Sequence, residues 1–394
     1  MASATRTNPA PSKLKKPPAH FLYAANWDIP LLLILFALLI IGLVCLFSAS
    51  YVYANYYEGD SYFYIRKQAA FAGLGLLVMV AVSCLNYNRL RKPSFIVWGV
   101  SILLLVLVLF LPSSIGVHRW INLPVFGSFQ PSELAKLGII LLFAQLVTVY
   151  QDRMKTFKTG FLMFMGYLGV TCFLIVREPH LSGTILVLLI GLFMMFVGGT
   201  RFAYIMAMLV AGIAVVVFLV MFMGYEADRI AVWLDPLGVF AVDRDQAWQT
   251  VQSLYAIGSG GLMGLGIGNS RQKHLFLPEP QNDFIFSIVC EELGFIGAAL
   301  ILLLFALLVW RGIVIATRAR DKYGAMLAFG ISAQIGIQVA LNVAVVSNAI
   351  PNTGIGLPFF SYGGTSMIML LGEMGILLSV ARQARPKGTR PPKD

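Results

Sequence analysis

The stretch "FLPEPQNDFIFSIVCEELGFIG", Phe276 to Gly297, turns from a proline-punctuated polar segment into the start of a long apolar run. It carries four carboxylates, Glu279, Asp283, Glu291 and Glu292, although acidic groups are costly beside hydrocarbon. The apolar run extends over 284–310. A helix of that length is about 40 Å long, against a hydrocarbon core of roughly 30 Å. The stretch therefore reads as the head of a membrane-crossing helix whose first two turns stand above the lipid. Glu291 and Glu292 point about 100° apart on such a helix, so at least one of them faces neighbouring helices or a water-filled cavity.

Similar apolar runs recur along the chain. Hydrophobic residues make up 58% of the 394 and charged ones 12%, too few to clothe a soluble fold of this size. Runs long enough to span a bilayer fall at 29–49, 68–84, 94–111, 132–148, 160–176, 183–199, 203–223, 284–310, 323–346 and 360–381. The predicted fold is an all-α integral membrane protein of ten transmembrane helices, with both termini on one side. Segments on the side of the termini hold 20 of the 29 Lys and Arg, and those on the other side hold 8. Basic residues mark the cytoplasmic side, so both termini are expected there. Residues 1–28 read as a basic cytosolic tail, 29–381 as one membrane domain and 382–394 as a second basic tail. The largest extracytoplasmic loop, 224–283, lies between the seventh and eighth spans.

Several function classes are excluded. The net charge of +11 follows from orientation and contact with anionic membrane lipids; no groove-reading element accompanies it, so nucleic acid is not an expected partner. Cys45, Cys84, Cys172 and Cys290 are isolated in apolar stretches, and the four histidines are scattered. Neither set has metal-ligand spacing. The cluster "GSGGLMGLGIGN" contains no nucleotide-binding glycine pattern. Chemistry is expected on the outer face, where the irregular segments collect.

Two groups of charges there are candidates. "QPSELAK" opens the fourth span and puts Glu133 and Lys136 on one helix face. They suit either a functional ion pair within the membrane or plain helix capping by Glu133 with an upward-snorkelling Lys136. Asp283 suits equally a helix N-cap or a catalytic carboxylate.

"FLPEPQNDFIFSIVCEELGFIG", "RWINLPVFGSFQPSELAK", "YFYIRKQ" and "TGIGLPFFSYGGTS" together resemble the SEDS family of bacterial cell-wall polymerases, which includes RodA, FtsW and SpoVE. The resemblance covers about 21–382, and the ending "IPNTGIGLPFFSYGGTSMIMLLGEMGILLSVAR" looks most like the FtsW/SpoVE branch. It implies a peptidoglycan glycosyltransferase of the cytoplasmic membrane, acting on lipid II during cell division or cell-shape growth, with a class B penicillin-binding protein as partner. The family's catalytic aspartate falls at Asp283, its charged pair in the fourth span at Glu133 and Lys136, and its further cavity positions at Arg119, Glu279 and Ser361. "REPHLSGTIL", 177–186, departs from the family's usual Gln-Pro-Asp-Leu-Gly pattern, and no function is carried onto it.

The implied reaction suits a sparse site. Turning an α-linked sugar pyrophosphate into a β-linked polymer needs one displacement, for which one carboxylate base suffices. The leaving pyrophosphate needs its charge stabilised. Arg119, Arg229, Arg271 and Lys273 are outer-side cations able to do this, and a divalent ion such as magnesium or manganese held by carboxylates is the other means. A lipid II flippase is the alternative function, because Glu133, Lys136 and Glu373 also suit a polar transport path.

Overall fold

The computed structural model describes residues 27–111, 119–123, 127–178, 180–210, 212 and 227–384. The helices are α1 (Ile29–Glu58), α2 (Phe63–Cys84), α3 (Ser94–Phe110), α4 (Pro131–Val149), α5 (Met163–Arg177) and α6 (Leu181–Gly198). After α7 (202–210) come α8 (Ala227–Leu234), α9 (Pro236–Val242), α10 (Arg244–Gly260), α11 (Ile285–Arg318), α12 (Lys322–Val346) and α13 (Gly364–Arg382). Among the described residues, eight helices are long and apolar enough to cross a membrane, and α3 is a shorter apolar helix. The expected seventh span, 203–223, and both tails lie largely outside the described residues. A small departure from an all-α fold is the hairpin of β1 (Ile121–Leu123) and β2 (Gly127–Phe129), antiparallel with Asn122 opposite Ser128.

Local chemistry sets the helix ends. Asp28 accepts a hydrogen bond from the Leu31 amide at 3.1 Å and starts α1, and Gly59 stops it in the left-handed region. Asp243 and Asp321 cap α10 and α12 in the same way. α1 runs nine residues past the expected 49, because the tyrosine-rich "YVYANYYE" continues as helix beyond the apolar run. The tenth span starts four residues later than expected, at Gly364. The preceding 350–363 is irregular and belongs to the site.

α13 packs along α2, α12 lies between α4, α6 and α11, and α3 packs on α4. The central helices α4, α12 and α13 carry the intramembrane polar groups Glu133, Lys136, Gln334 and Glu373, all buried.

Two polar cross-links join α1 to α11. At one end of the bundle Arg311 makes a two-point ion pair with Asp28, at 2.9 and 2.7 Å. At the other, Ser48 donates to Glu292 at 2.7 Å, and Glu292 also pairs with Lys273 at 2.9 Å. Asp28 and Ser48 are twenty residues apart on α1, Glu292 and Arg311 nineteen on α11. Either interval is about 30 Å of helix, the thickness of a hydrocarbon core. The two cross-links are thus separated along the bundle by about one hydrocarbon thickness.

Candidate active site

At the end marked by Glu292 the segments between helices enclose a cavity of about 670 Å³, a size usual for small-molecule sites. Arg119 and Trp120 line it from the segment before β1, Gln130, Ser132, Glu133 and Lys136 from the head of α4, and His180 and Ser182 from the α5–α6 turn. Glu279, Asn282 and Asp283 come from the approach to α11, and Gly354, Gly356, Ser361 and Tyr362 from the approach to α13. Four separate loops therefore meet in one hollow.

The aspartate wall is built by cross-bracing. Ser361 Oγ donates to the Asn282 carbonyl at 2.6 Å and accepts from the Leu357 amide at 2.7 Å. The Tyr362 amide donates to the Gln281 carbonyl at 2.8 Å. From within α12, Asn342 Nδ2 donates to the carbonyls of Asp283 and Ile355, at 2.8 and 2.6 Å, and Gln338 donates to that of Gly356 at 2.9 Å. Gln68 of α2 both donates to the Ser361 carbonyl and accepts from the Gly363 amide. Gly354 has φ +70°, and a Cβ there would lie 2.9 Å from Asp283 Oδ2. Glycine lets the chain pass the carboxylate so closely.

Asp283 is not a helix cap. The capping residue of α11 is Phe284, and no side chain caps that helix. The Asp283 carboxyl faces the cavity instead. Its pKa is pushed up to about 6 by burial first and by Glu279 next, while Arg119 draws it down. Glu279 holds a left-handed turn, φ +44°, with Asn282 Nδ2 donating to its carboxylate at 2.8 Å.

The opposite wall is cationic. Glu133 and Lys136 form an ion pair at 2.8 Å with both side chains buried, so Lys136 does not snorkel. Arg119 donates to the Glu178 carbonyl at 3.1 Å. The Glu178 carboxyl is fully buried, with no hydrogen-bond partner for either oxygen among the described residues. Burial drives its pKa up to about 8 against the pull of Arg119. Burial, with Arg119 and Lys136 nearby, lowers His180 to about 3, so its imidazole is neutral.

The remaining expected site residues lie elsewhere. Arg229 and Arg271 are exposed and do not line the cavity. Lys273 was expected as an outer-side cation, yet it is fully buried in its pair with Glu292. Glu291 accepts from the amides of Arg271 and Gln272, at 3.0 and 3.3 Å, and from the Ser270 hydroxyl. The glycine-rich segment after α10 thereby folds onto α11 where Gly294, φ +67°, interrupts that helix. Both glutamates serve this fold and neither reaches the cavity. Conversely, Gln338, Asn342, Gln68 and His180 were missed. A signal existed for two of them: Gln334, Gln338 and Asn342 recur at every fourth residue of an apolar span, one polar stripe on a buried helix.

These features define a multi-pass membrane protein with a polar, acid-bearing cavity at one end of its helical bundle. A family model described as "Cell cycle protein", the FtsW/RodA/SpoVE family, matches residues 29–386. Stage V sporulation protein E of Bacillus subtilis (strain 168) is 42% identical over 370 residues, covering 91% of this chain and 98% of that protein. A protein named probable peptidoglycan glycosyltransferase FtsW, from Geobacter sulfurreducens, is 38% identical over 368 residues, covering 91% and 96%. Among solved structures, a chain of a peptidoglycan synthase complex superposes with TM-score 0.74 at 27% identity, covering 91% of this chain and 98% of that one. The rod shape determining protein RodA of Thermus thermophilus gives 0.66 at 27% identity, covering 92% and 98%. The chain belongs to the FtsW/RodA/SpoVE family.

Proposed function

We propose that this protein is a peptidoglycan glycosyltransferase that polymerises lipid II in the cavity, with Asp283 as general base. The carrying observation is Asp283 itself: a carboxyl on the cavity wall, freed from any capping duty, with a pKa near 6. Such a group is unprotonated at neutral pH and basic enough to take a hydroxyl proton. Asn342 and Gly354 fix its backbone and its approach.

The reaction is one inverting displacement. Asp283 takes the proton of the acceptor sugar's hydroxyl, whose oxygen attacks the anomeric carbon of the donor. The bond to the pyrophosphate breaks, and its oxygen keeps the electron pair. Arg119, which lines the cavity together with Lys67 and Lys136, is the cation assigned to meet that charge. Glu133 and Lys136 brace the opposite wall as a buried pair. Asp283 and Glu279 also suit a magnesium or manganese ion, which binds one or two carboxylates together with substrate phosphates. Such an ion, when bound, supplies charge neutralisation for the leaving group.

In this reading the chain has ten spans with both basic tails in the cytoplasm, so the cavity opens outside the cytoplasmic membrane, where lipid-linked sugars are displayed. A class B penicillin-binding protein is the proposed partner, consistent with the synthase complex among the structural neighbours. The work belongs to cell division or cell-shape growth.

The test is Asp283→Asn in purified protein given lipid II, with and without that partner, its products resolved on a glycan gel. Asparagine cannot accept the proton, and polymer should fall by about 10²–10⁴-fold while folding and membrane level hold. Near-normal polymer from the variant would remove Asp283 from the chemistry. Transbilayer movement of labelled lipid II without polymer from the wild type would favour the flippase.

A further inference from the structure

Beside the cavity stands an ordered row of aromatic rings. Tyr362, on the cavity wall, meets Tyr64 edge-on with ring centroids 4.8 Å apart. Tyr64 lies 6.2 Å from Tyr53, Tyr53 lies 4.4 Å from Tyr57, and Tyr57 lies 4.9 Å from Tyr56. Three elements contribute: the approach to α13, the first turn of α2 and the last turns of α1. The row ends in the open, with Tyr56 and Tyr57 exposed by 68% and 61%.

Tyrosines gather at membrane surfaces as an interfacial belt, but the height of these rings argues against that role. The apolar run of α1 ends at residue 49, and Tyr57 is eight residues beyond it, or about 12 Å along the helix. The headgroup layer is only about 5–7 Å deep on each side. On that spacing the far rings lie beyond the headgroup layer, where exposed aromatic rings leading from a cavity suit a binding surface.

The ligand class follows from the shape of the surface. Each tyrosine offers a flat apolar face with a hydroxyl at its rim. A pyranose is divided in the same way, with C–H groups on its faces and hydroxyls around its edge. The row also begins inside the cavity and leads out of it. We propose that Tyr362, Tyr64, Tyr53, Tyr57 and Tyr56 form a saccharide track that holds the amino-sugar polymer outside the cavity. This rests on the glycosyltransferase reading of the same cavity. Stacking on ring faces is tolerant of position, so a strand can advance along the row as sugars are added.

The experiment compares the full-length wild type with Tyr56→Ala/Tyr57→Ala, reconstituted in lipid nanodiscs. The probe is a lipid-free tetramer of β-linked N-acetylglucosamine, which carries no pyrophosphate and no isoprenoid. Saturation-transfer NMR should show magnetisation passing to the sugar C–H groups in the wild type. It should fall several-fold in the alanine pair and recover in Tyr56→Phe/Tyr57→Phe, which keeps the rings. Equal transfer in the wild type and the alanine pair, or none in either, overturns the track. Glycan made from lipid II should also be shorter in the alanine pair, and unchanged length would count against the track. A wild type that makes no polymer sinks the glycosyltransferase reading, and the NMR comparison still decides whether these rings bind saccharide.

Discussion

Asp283 sits between opposing neighbours, and the balance sets its working range. Burial and Glu279 hold its proton on, while Arg119 helps to release it. Since the base acts only when unprotonated, polymerisation should rise with pH through about 6. Glu279→Gln removes a repelling charge and should move that acid limb to lower pH, which initial rates from pH 5 to pH 8 would reveal. An unmoved limb would detach Glu279 from Asp283. Glu178 gives a second, separate pH dependence, in stability. Its proton is held in the native state up to about pH 8 and leaves the unfolded chain near 4.5. Between those values the native state binds more protons, so stability falls as pH rises. Glu178→Gln should flatten the dependence of melting temperature on pH across that window. Equal slopes in the two proteins would show that the buried carboxyl does not titrate there.

The ion pairs act at the scale of whole elements. Lys273 and Glu292 pin the segment after α10 to α1 and α11. Removing one partner of a buried pair typically costs about 3–5 kcal/mol, because the survivor is left unpaired. Lys273→Met alone should therefore melt lower than the double variant Lys273→Met/Glu292→Gln. The reverse order would mean that the pair is not the fastening. Glu133 and Lys136 obey the same logic within α4, so alanine at either position should cut polymerisation sharply; wild-type activity in both singles would reduce the pair to a helix-end ornament. Much of this level was legible in the sequence. Apolar run lengths located the described spans to within a few residues at most ends, and i,i+3 spacing foretold the Glu133–Lys136 contact. Lys273 was not legible, because its partner lies nineteen residues on, across a chain reversal and beside a helix interrupted at Gly294. Nor was the fate of Glu291 and Glu292. Nothing local distinguishes a carboxylate that accepts loop amides from one that faces substrate.

At the scale of the molecule the two cross-links between α1 and α11 give the bundle a vertical ruler. The Asp28–Arg311 pair stands at one end of the bundle and the Ser48–Glu292–Lys273 group toward the other. Everything that lines the cavity belongs to the second end. That placement suits a lipid-linked donor, whose isoprenoid stays in the bilayer while its sugars stand above it. The ruler does not say which end faces outward; the proposed topology takes that from the lysine and arginine bias, by the rule that cytoplasmic segments are basic. Asn269 is exposed in the segment beyond α10, at the cavity end, and Thr156 is exposed between α4 and α5, at the opposite end. The four native cysteines are buried or half-buried, which keeps their background labelling low. In intact cells, Asn269→Cys should react with a membrane-impermeant thiol reagent, and Thr156→Cys should react only after the membrane is opened. Labelling of Thr156→Cys in intact cells, with Asn269→Cys silent, would turn the cavity toward the cytoplasm. Asp283 would then stand on the wrong side to build a wall outside the cell.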